Sequence, residues 1–488
     1  MLALSVQGGV AFDNQRMTQC LLQTLGCLVA VGMMAWTAHA QPAYTLPHSV
    51  KDAMKAARLP PESLSVVVLP VHAPAARLAH LPDESRNPAS LIKLVTTTAA
   101  LDLLGPAFTW RTPVFLEGQL REGVWHGNVH IQGSGDPGLG VEQLWLLMRR
   151  IQALGIRQIQ GDIVLDRSAF SVPAQDPGSF DGEPLRPYNA TPDALLINFK
   201  SLMFHFVPDP FHQVARVHIE PPLAGVTWPA TVPLSMAECT DYRTGLKADF
   251  SSPTQMVFAG SYPLSCGEKT WPIAYSEPAQ FAARAAGGGW LHIGGQLSGS
   301  VREGHLPAGA TAALIHESPT LAELVRDINK FSNNVMADQV FLTLGAQIRG
   351  YGNPITAADT VHAWWRERLP AAEPPLLDKG SGLSRDTRIT AQSMAALLQW
   401  VWSQGFMPEL IASLPITGLD GTLKRSKSSA LAHLKTGSLR DVMGIAGYVD
   451  AVNGQRFVLV AMVNHANAHQ ARPVMDALID WTAGKDNR

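Results

Sequence analysis

The spacing of hydrophobic positions divides the chain into three parts. A β-branched run at residues 63–70 predicts a strand, and residues 90–104 predict a buried helix because they are apolar on nearly every side. From residue 110 to 309, short apolar runs alternate with Gly and Pro turns. Helical spacing returns after residue 310. The pattern therefore predicts a long insert that interrupts a mixed helix-and-strand domain.

The insert is predicted to be mostly β-structure. Its short β-prone runs are bounded by turn residues, as expected for strands, and one helix is predicted at residues 144–154. The predicted strands lie at residues 124–131, 161–166, 213–219, 255–260 and 290–300.

The part after the insert has helix and hairpin signals. Ser318 precedes a proline, and this pair predicts the N-cap and first turn of a helix. That helix is predicted to break at residues 331–334 and then restart. Further on, Asn453-Gly454 lies between two apolar runs and predicts a β-hairpin.

The start of the chain predicts export. Residues 21–36 are mostly apolar and uncharged, and small residues follow up to Ala40. This is the pattern of a secretory signal, cut after Ala40, whether translation starts at Met1 or Met17. A membrane anchor is the alternative, although the run is shorter than the roughly 20 apolar residues that a spanning helix needs.

Charge and cysteine content narrow the class of protein. The 38 basic and 40 acidic residues nearly cancel, so no basic surplus favours nucleic acid. Cys239 and Cys266 remain after the predicted cut, and an even pair in an exported protein favours a disulfide. Two unpaired buried thiols are the alternative. The spacing does not fit a zinc site built on close cysteine pairs.

The first candidate for chemistry is Ser90, three residues before Lys93. Positions i and i+3 are neighbours on one helical face, so the amine lies beside the hydroxyl. A serine hydroxyl needs an adjacent base, and burial lowers the pKa of a lysine enough for it to accept a proton. A lysine within an otherwise apolar helix therefore favours a nucleophile and its base over a cap and a solvated amine.

The second candidate is Ser332-Asn333-Asn334, in the predicted break between two helices. A hydroxyl and an amide two residues apart in a loop can both point into a cleft. Ser332 could relay a proton to a leaving amine, and Asn334 could hold an amide carbonyl. Residues 85–87 match the same Ser-x-Asn pattern and are interpreted as a decoy.

The third candidate is Lys435-Thr436-Gly437-Ser438, just before the predicted hairpin. On a strand, Lys435 and Gly437 share a face, and the glycine lets a substrate backbone approach closely. Lys435 and Thr436 could together bind a terminal carboxylate. A rival triplet at residues 243–245 lies inside the insert and is interpreted as a loop.

Together and in this order, the three motifs resemble the signature of penicillin-binding proteins and class A β-lactamases. The long separation of the first two motifs is similar to that in the class C low-molecular-mass penicillin-binding proteins, the D-alanyl-D-alanine carboxypeptidase/endopeptidase family, which carry domains inserted there. The resemblance covers nearly all of the mature chain. Further stretches that look like this family lie at residues 133–137, 161–166, 380–385, 418–423 and 447–449.

The resemblance implies an α+β fold of the penicillin-binding (β-lactamase/transpeptidase-like) type, with an antiparallel sheet covered by helices and interrupted by inserted β-rich domains. The catalytic domain would comprise residues 41–105 and 310–488. An inserted domain would comprise residues 106–170 and 270–309, and an inner inserted domain residues 171–269. The predicted disulfide falls in the inner domain.

The resemblance also implies roles for the motif residues. Ser90 would be acylated with Lys93 as its base, and Ser332 and Asn334 would complete the proton and substrate network. Lys435 and Thr436 would bind the substrate carboxylate, and Gly437 would let the substrate backbone approach. The backbone N–H groups of Ser90 and Ser438 would form the oxyanion hole. Arg385 and Asp181 are expected near the pocket for the stem-peptide side chain. Lys379 stands where the family usually has an acid, which affects substrate preference more than catalysis.

The function implied is a serine DD-peptidase that hydrolyses D-Ala–D-Ala termini or D-Ala cross-links of peptidoglycan stem peptides in the periplasm. β-Lactams would inhibit it, weak association with the wall or membrane surface is expected, and no metal or organic cofactor is implied. His465 and His469 lack a clear third ligand for a metal. The alternatives are a serine β-lactamase and a non-enzymatic wall-binding protein of the same fold.

Overall fold

The computed structural model describes residues 45–485. The predicted secretory signal and its membrane-anchor alternative lie outside the described residues. Among residues 45–485, no helix combines the length and the hydropathy that crossing a bilayer requires.

Helices and strands alternate in blocks along the chain. The α-helices are α1 (His48–Ala56), α2 (Lys93–Leu103), α3 (Val141–Ala153), α4 (Tyr242–Leu246), α5 (Pro278–His292), α6 (Leu321–Phe331), α7 (Asn334–Arg349), α8 (Pro354–Arg368), α9 (Ala391–Trp402), α10 (Met407–Ser413) and α11 (Arg472–Thr482). The strands are β1 (Leu64–Pro70), β2 (Leu78–His80), β3 (Arg111–Arg121), β4 (Val124–Gln132), β5 (Gln158–Ile159), β6 (Ile163–Asp166), β7 (Ser201–Asp209), β8 (Val214–Glu220), β9 (Thr231–Ser235), β10 (Ala248–Asp249), β11 (Val257–Phe258), β12 (Tyr262–Pro263), β13 (Lys269–Ala274), β14 (Gln296–Leu297), β15 (Val301–Glu303), β16 (Ala312–Glu317), β17 (Ala432–Leu439), β18 (Val442–Asp450) and β19 (Arg456–Asn464).

One antiparallel sheet separates two hydrophobic cores. Its strand order is β17-β18-β19-β1-β2, so strands from both ends of the chain pair with each other. Side chains alternate along a strand. Val66 and Val68 therefore pack with α1 and α11, whereas Val67 and Leu69 pack with α2 and α9. The predicted sheet covered by helices is confirmed, and β17 lies at one edge of it.

The chain between α2 and α6 forms the β-rich insert, as predicted. One sheet has the order β14-β5-β4-β3-β16, with β6 also paired to β4 and β15 paired to β6, and a second has the order β12-β9-β8-β7-β13. A shared hydrophobic core joins the two sheets. The boundaries of the outer and inner inserted domains stay a prediction, and β16 extends the first sheet to Glu317.

The strand predicted at residues 290–300 is wrong in its first part. Helix α5 continues to His292, and only Gln296–Leu297 forms a strand. Three consecutive glycines hide the helix in the sequence, because glycine is unfavourable inside helices. The fold needs one of them: a Cβ on Gly288 would collide with the carbonyl oxygen of Pro222.

The predicted N-cap before α6 is also wrong. Thr320 caps the helix, with its backbone N–H donating to Glu323 Oε2 at 2.7 Å in a capping box. The Ser318 hydroxyl instead accepts a hydrogen bond from the Trp110 backbone N–H at 2.9 Å. A buried backbone donor thus uses the serine, and the helix begins later than the sequence indicates.

The predicted disulfide between Cys239 and Cys266 is present and joins two positions with a sequence separation of 27. By loop-closure entropy it stabilises the folded insert by about 3–4 kcal/mol.

We expect a Cys239→Ser/Cys266→Ser double variant to lower the free energy of unfolding of the insert by that amount. Urea denaturation followed by tryptophan fluorescence measures the change. An unchanged midpoint in the double variant would contradict the prediction, and dithiothreitol treatment of the wild type is the control.

Candidate active site

Ser90 lies in a strained turn at the start of α2. The turn Ala89–Ile92 is a 3-10 helix, and the regular α-helix begins at Lys93. The α-helix therefore starts three residues after Ser90, where the sequence predicts its start. Ala89 has a φ of +46°, a left-handed conformation that non-glycine residues rarely adopt. The Asn87 side chain holds it there by accepting from the Ala89 N–H at 2.8 Å. Such strain is common beside functional residues.

The Lys93 amine is buried next to the Ser90 hydroxyl. Its Nζ lies 2.9 Å from Ser90 Oγ, 2.7 Å from Asn334 Oδ1 and 2.5 Å from the carbonyl oxygen of Ser381. The side chain is 0% exposed. Burial lowers the pKa of Lys93 to about 7, although the nearby Asp338 carboxyl raises it. The amine can therefore accept a proton close to neutrality.

Lys435 is a second buried amine in the same place. It donates to Ser332 Oγ at 2.9 Å and to the Thr436 carbonyl at 2.8 Å. Burial, and then the charge of Lys93, hold its pKa well below the ordinary lysine value. Ser332 ends α6 with a φ of +58°, and this turn brings its hydroxyl to the amine. The structure thus brings the three sequence motifs together.

Gly437 is required by the packing of β17 against the nucleophile turn. A Cβ at this position would come within 2.6 Å of the Pro88 carbonyl oxygen and 3.4 Å of Ala89 Cβ. The neighbouring Thr436 hydroxyl donates to Thr422 Oγ1 at 2.7 Å. The glycine thereby allows the edge strand to lie beside the residues that precede Ser90.

A cleft of about 690 Å³ opens over these groups, and we call it the motif cleft. Arg385 and Asp181, which are predicted to lie near the pocket for the stem-peptide side chain, both line it. Arg385 donates to Asp441 Oδ1 at 3.1 Å and lies 4.6 Å from the centre of the Phe180 ring. Asp181 accepts from the Tyr188 hydroxyl at 2.8 Å. The lining residues are Ser90, Phe180, Asp181, Tyr188, Ser332, Asn334, Gly382, Leu383, Arg385, Ser438, Leu439 and Arg440.

The two decoy motifs do not line the motif cleft. Asn87, of the first decoy, donates from its side chain to the Ser384 carbonyl at 2.9 Å and does not line the motif cleft. Residues 243–245 lie in the short helix α4 of the insert. Residues 243–245 were interpreted as a loop, and this is wrong because they are helical. Neither triplet contributes a side chain to the motif cleft.

Sequence reasoning did not identify Asp338. It lies one helical turn after Asn334 on α7, and its Oδ1 accepts from the Ser381 backbone N–H at 2.8 Å. Burial raises the pKa of this carboxyl. The i, i+4 spacing from Asn334 was the available signal, because such residues share a helical face.

Comparisons with known proteins agree with the fold and the motifs. The model of the D-Ala-D-Ala carboxypeptidase 3 (S13) family matches residues 46–485. A D-alanyl-D-alanine carboxypeptidase from Actinomadura sp. (strain R39) is 27% identical over 433 residues, 81% of this chain and 76% of the relative. The D-alanyl-D-alanine carboxypeptidase DacB of Haemophilus influenzae is 24% identical over 392 residues, 77% of this chain and 80% of the relative.

The solved structures give the same result for the fold. The crystal structure of penicillin binding protein 4 (dacB) from Haemophilus influenzae matches with a TM-score of 0.71 and 21% identity, over 90% of this chain and 99% of that chain. The expected penicillin-binding fold with inserted domains is thereby confirmed. The resemblance seen in the motifs is also confirmed, and this chain belongs to the D-Ala-D-Ala carboxypeptidase 3 (S13) family of serine-type carboxypeptidases.

Proposed function

We propose that Ser90 is the acylated nucleophile of this DD-peptidase, and that the substrates are D-Ala–D-Ala termini and D-Ala cross-links of peptidoglycan stem peptides. The observation that carries the proposal is the contact of 2.9 Å between Ser90 Oγ and the buried Nζ of Lys93. A neutral amine at that distance is a competent general base.

Acylation begins when neutral Lys93 takes the Ser90 proton and Oγ attacks the carbonyl carbon of the penultimate D-Ala. The backbone N–H groups of Ser90 and Ser438 stabilise the oxyanion of the tetrahedral intermediate. Collapse breaks the C–N bond, and Ser332, hydrogen-bonded to Lys435, passes its hydroxyl proton to the leaving amine. Ser332 is reprotonated with the proton that Lys93 took from Ser90, so Lys93 is neutral again for deacylation. Water then attacks the ester, which releases the shortened peptide and restores the Ser90 hydroxyl.

The substrate binds along the free edge of β17. An extended peptide can add to an edge strand through main-chain hydrogen bonds. Lys435 and Thr436 hold the terminal carboxylate, and Asn334 holds an amide group of the acyl part. Arg385 and Asp181 present one positive and one negative group to the stem-peptide side chain.

The proposed site of action is the periplasm, where the predicted signal would deliver residues 41–488 and where a disulfide persists. Its substrate is a wall polymer, so we propose weak association with the wall or the membrane surface. β-Lactams are proposed inhibitors because they place a reactive amide where the D-Ala–D-Ala bond would lie.

The test is a time course on the mature protein. We expect D-Ala release from a pentapeptide ending in D-Ala–D-Ala, and a stable adduct of one penicillin per chain by intact mass. An adduct that disappears within seconds would indicate a β-lactamase. A folded protein that forms no adduct and releases no D-Ala would favour the wall-binding alternative.

The acylation rate should depend on pH through Lys93. Its pKa in the folded protein is about 7, so protonation below that pH removes the base. We expect the rate constant for penicillin acylation to rise as pH increases through about 7, by about tenfold per pH unit on the acid side. Rapid-quench labelling from pH 5 to 9 measures it, with circular dichroism as the control for folding. A flat profile would contradict the prediction.

A further inference from the structure

A second cleft of about 230 Å³ lies on the face of β17 and β18 that packs toward α11, and we call it the α11 cleft. It meets the motif cleft at Ser438, which lines both. Thr436 lines only the α11 cleft of the two. Thr436, one of the two residues proposed to bind the terminal carboxylate, therefore lines a space that the proposed catalytic steps do not use.

The polar wall of the α11 cleft is positively charged. Arg425 and Arg472 line it and are exposed, and neither side chain makes a hydrogen bond or ion pair within residues 45–485. The acid in the lining, Asp476, is already engaged, because its carboxylate accepts from the Ser426 hydroxyl at 2.6 Å and from the Lys427 N–H at 3.3 Å. The two arginines outnumber the one carboxylate, and this net positive charge favours a ligand that carries carboxylates.

The floor of the α11 cleft is apolar. Met443 and Ile445 from β18 and Met475 and Ile479 from α11 line it. Flexible methionine side chains adapt to irregular apolar ligands. A surface with an apolar floor and two arginines fits an alkyl chain that leads to acidic groups.

The direction of the substrate relates this surface to the reaction. In the proposed complex the acyl part lies in the motif cleft, by Ser438, Leu439 and Arg440, and the leaving residue lies by Thr436. A leaving D-Ala ends at its own methyl group and carboxylate. A leaving residue from a cross-link has a long side chain joined to a second stem peptide, and it must extend beyond Thr436.

We propose that the α11 cleft is the leaving-group subsite for cross-linked peptidoglycan. Its floor would bind the alkyl side chain of the leaving residue, and Arg425 and Arg472 would bind carboxylates of the second stem peptide. This inference rests on the proposed function. Such a subsite would make the enzyme selective for cross-links over single-chain termini.

The experiment compares two substrates in three proteins: wild type, the double variant Arg425→Gln/Arg472→Gln, and Lys424→Gln. Lys424 is an exposed cation next to Arg425 that does not line the α11 cleft, so it is the matched charge control. The substrates are a purified cross-linked muropeptide dimer and a monomeric pentapeptide ending in D-Ala–D-Ala. The readout is kcat/KM for each, by chromatography of the products.

We expect the double variant to lose at least about fivefold more kcat/KM on the dimer than on the pentapeptide, the size expected for two exposed ion pairs. The control should keep the wild-type ratio. Equal losses on both substrates, or no loss on the dimer, would overturn the subsite. If the wild type cleaves neither substrate, the proposed function itself fails, and the subsite fails with it.

Discussion

Replacing Ser90 with alanine should abolish both D-Ala release and penicillin labelling. Loss of the hydroxyl leaves no atom to form the acyl-enzyme, and removal of a catalytic serine lowers kcat by on the order of a millionfold in enzymes of this kind of mechanism. The Ser90 side chain is only half-buried, so the variant should keep its fold. Intact mass after penicillin treatment and D-Ala release measure the effect.

Ser85→Ala is the matched control for this variant. Ser85 is exposed, lies five residues earlier in the decoy Ser-x-Asn motif and does not line the motif cleft. It should acylate at the wild-type rate. Ser90→Ala protein that still forms a covalent penicillin adduct would assign the nucleophile to another residue.

Replacing Lys93 with methionine should slow acylation by about a thousandfold, which is the usual contribution of a general base. Methionine fills the same buried volume but cannot take the Ser90 proton. The variant should also lose the rise in rate near pH 7, because the group that titrates there is absent. Penicillin labelling across pH measures both effects.

Lys55→Met is the control for the lysine variant, since Lys55 is exposed on α1. It should leave the rate and the pH profile unchanged. A Lys93→Met protein that acylates within about tenfold of wild type would show that another group is the base, and Lys435 would be the next candidate.

The two buried amines explain why the site is poised near neutrality. Lys93 and Lys435 are both 0% exposed, and burial disfavours their charged forms. The charge of Lys93 also lowers the pKa of Lys435. Asp338 partly offsets this by raising the pKa of Lys93, so the base retains its affinity for a proton. The local field thus suits the amine to its proposed task of moving the Ser90 proton.

The sequence alone determined the features that depend on local spacing. The apolar helix that carries Lys93, the break at Ser332, the hairpin at Asn453-Gly454 and the β-rich character of the insert were each predicted from residue patterns within a few positions. The order of the three motifs was also readable, because each motif needs only neighbours along the chain to present its groups.

Tertiary structure decided how distant segments meet. Lys93 contacts Asn334 and Ser381 across 241 and 288 residues, and no local pattern encodes those pairings. The same holds for the use of Ser318 by the Trp110 backbone. Burial of a polar group is favourable only when a partner is present, so packing selects partners from remote parts of the chain.

The α11 cleft is the clearest case of a feature that only the fold created. Arg425 follows the turn after α10, and Arg472 is the first residue of α11. The floor of the cleft comes from β18 and α11. Read singly, Arg425 and Arg472 are ordinary surface charges. They form a candidate subsite because the fold places both of them beside β17, the edge strand that carries Thr436.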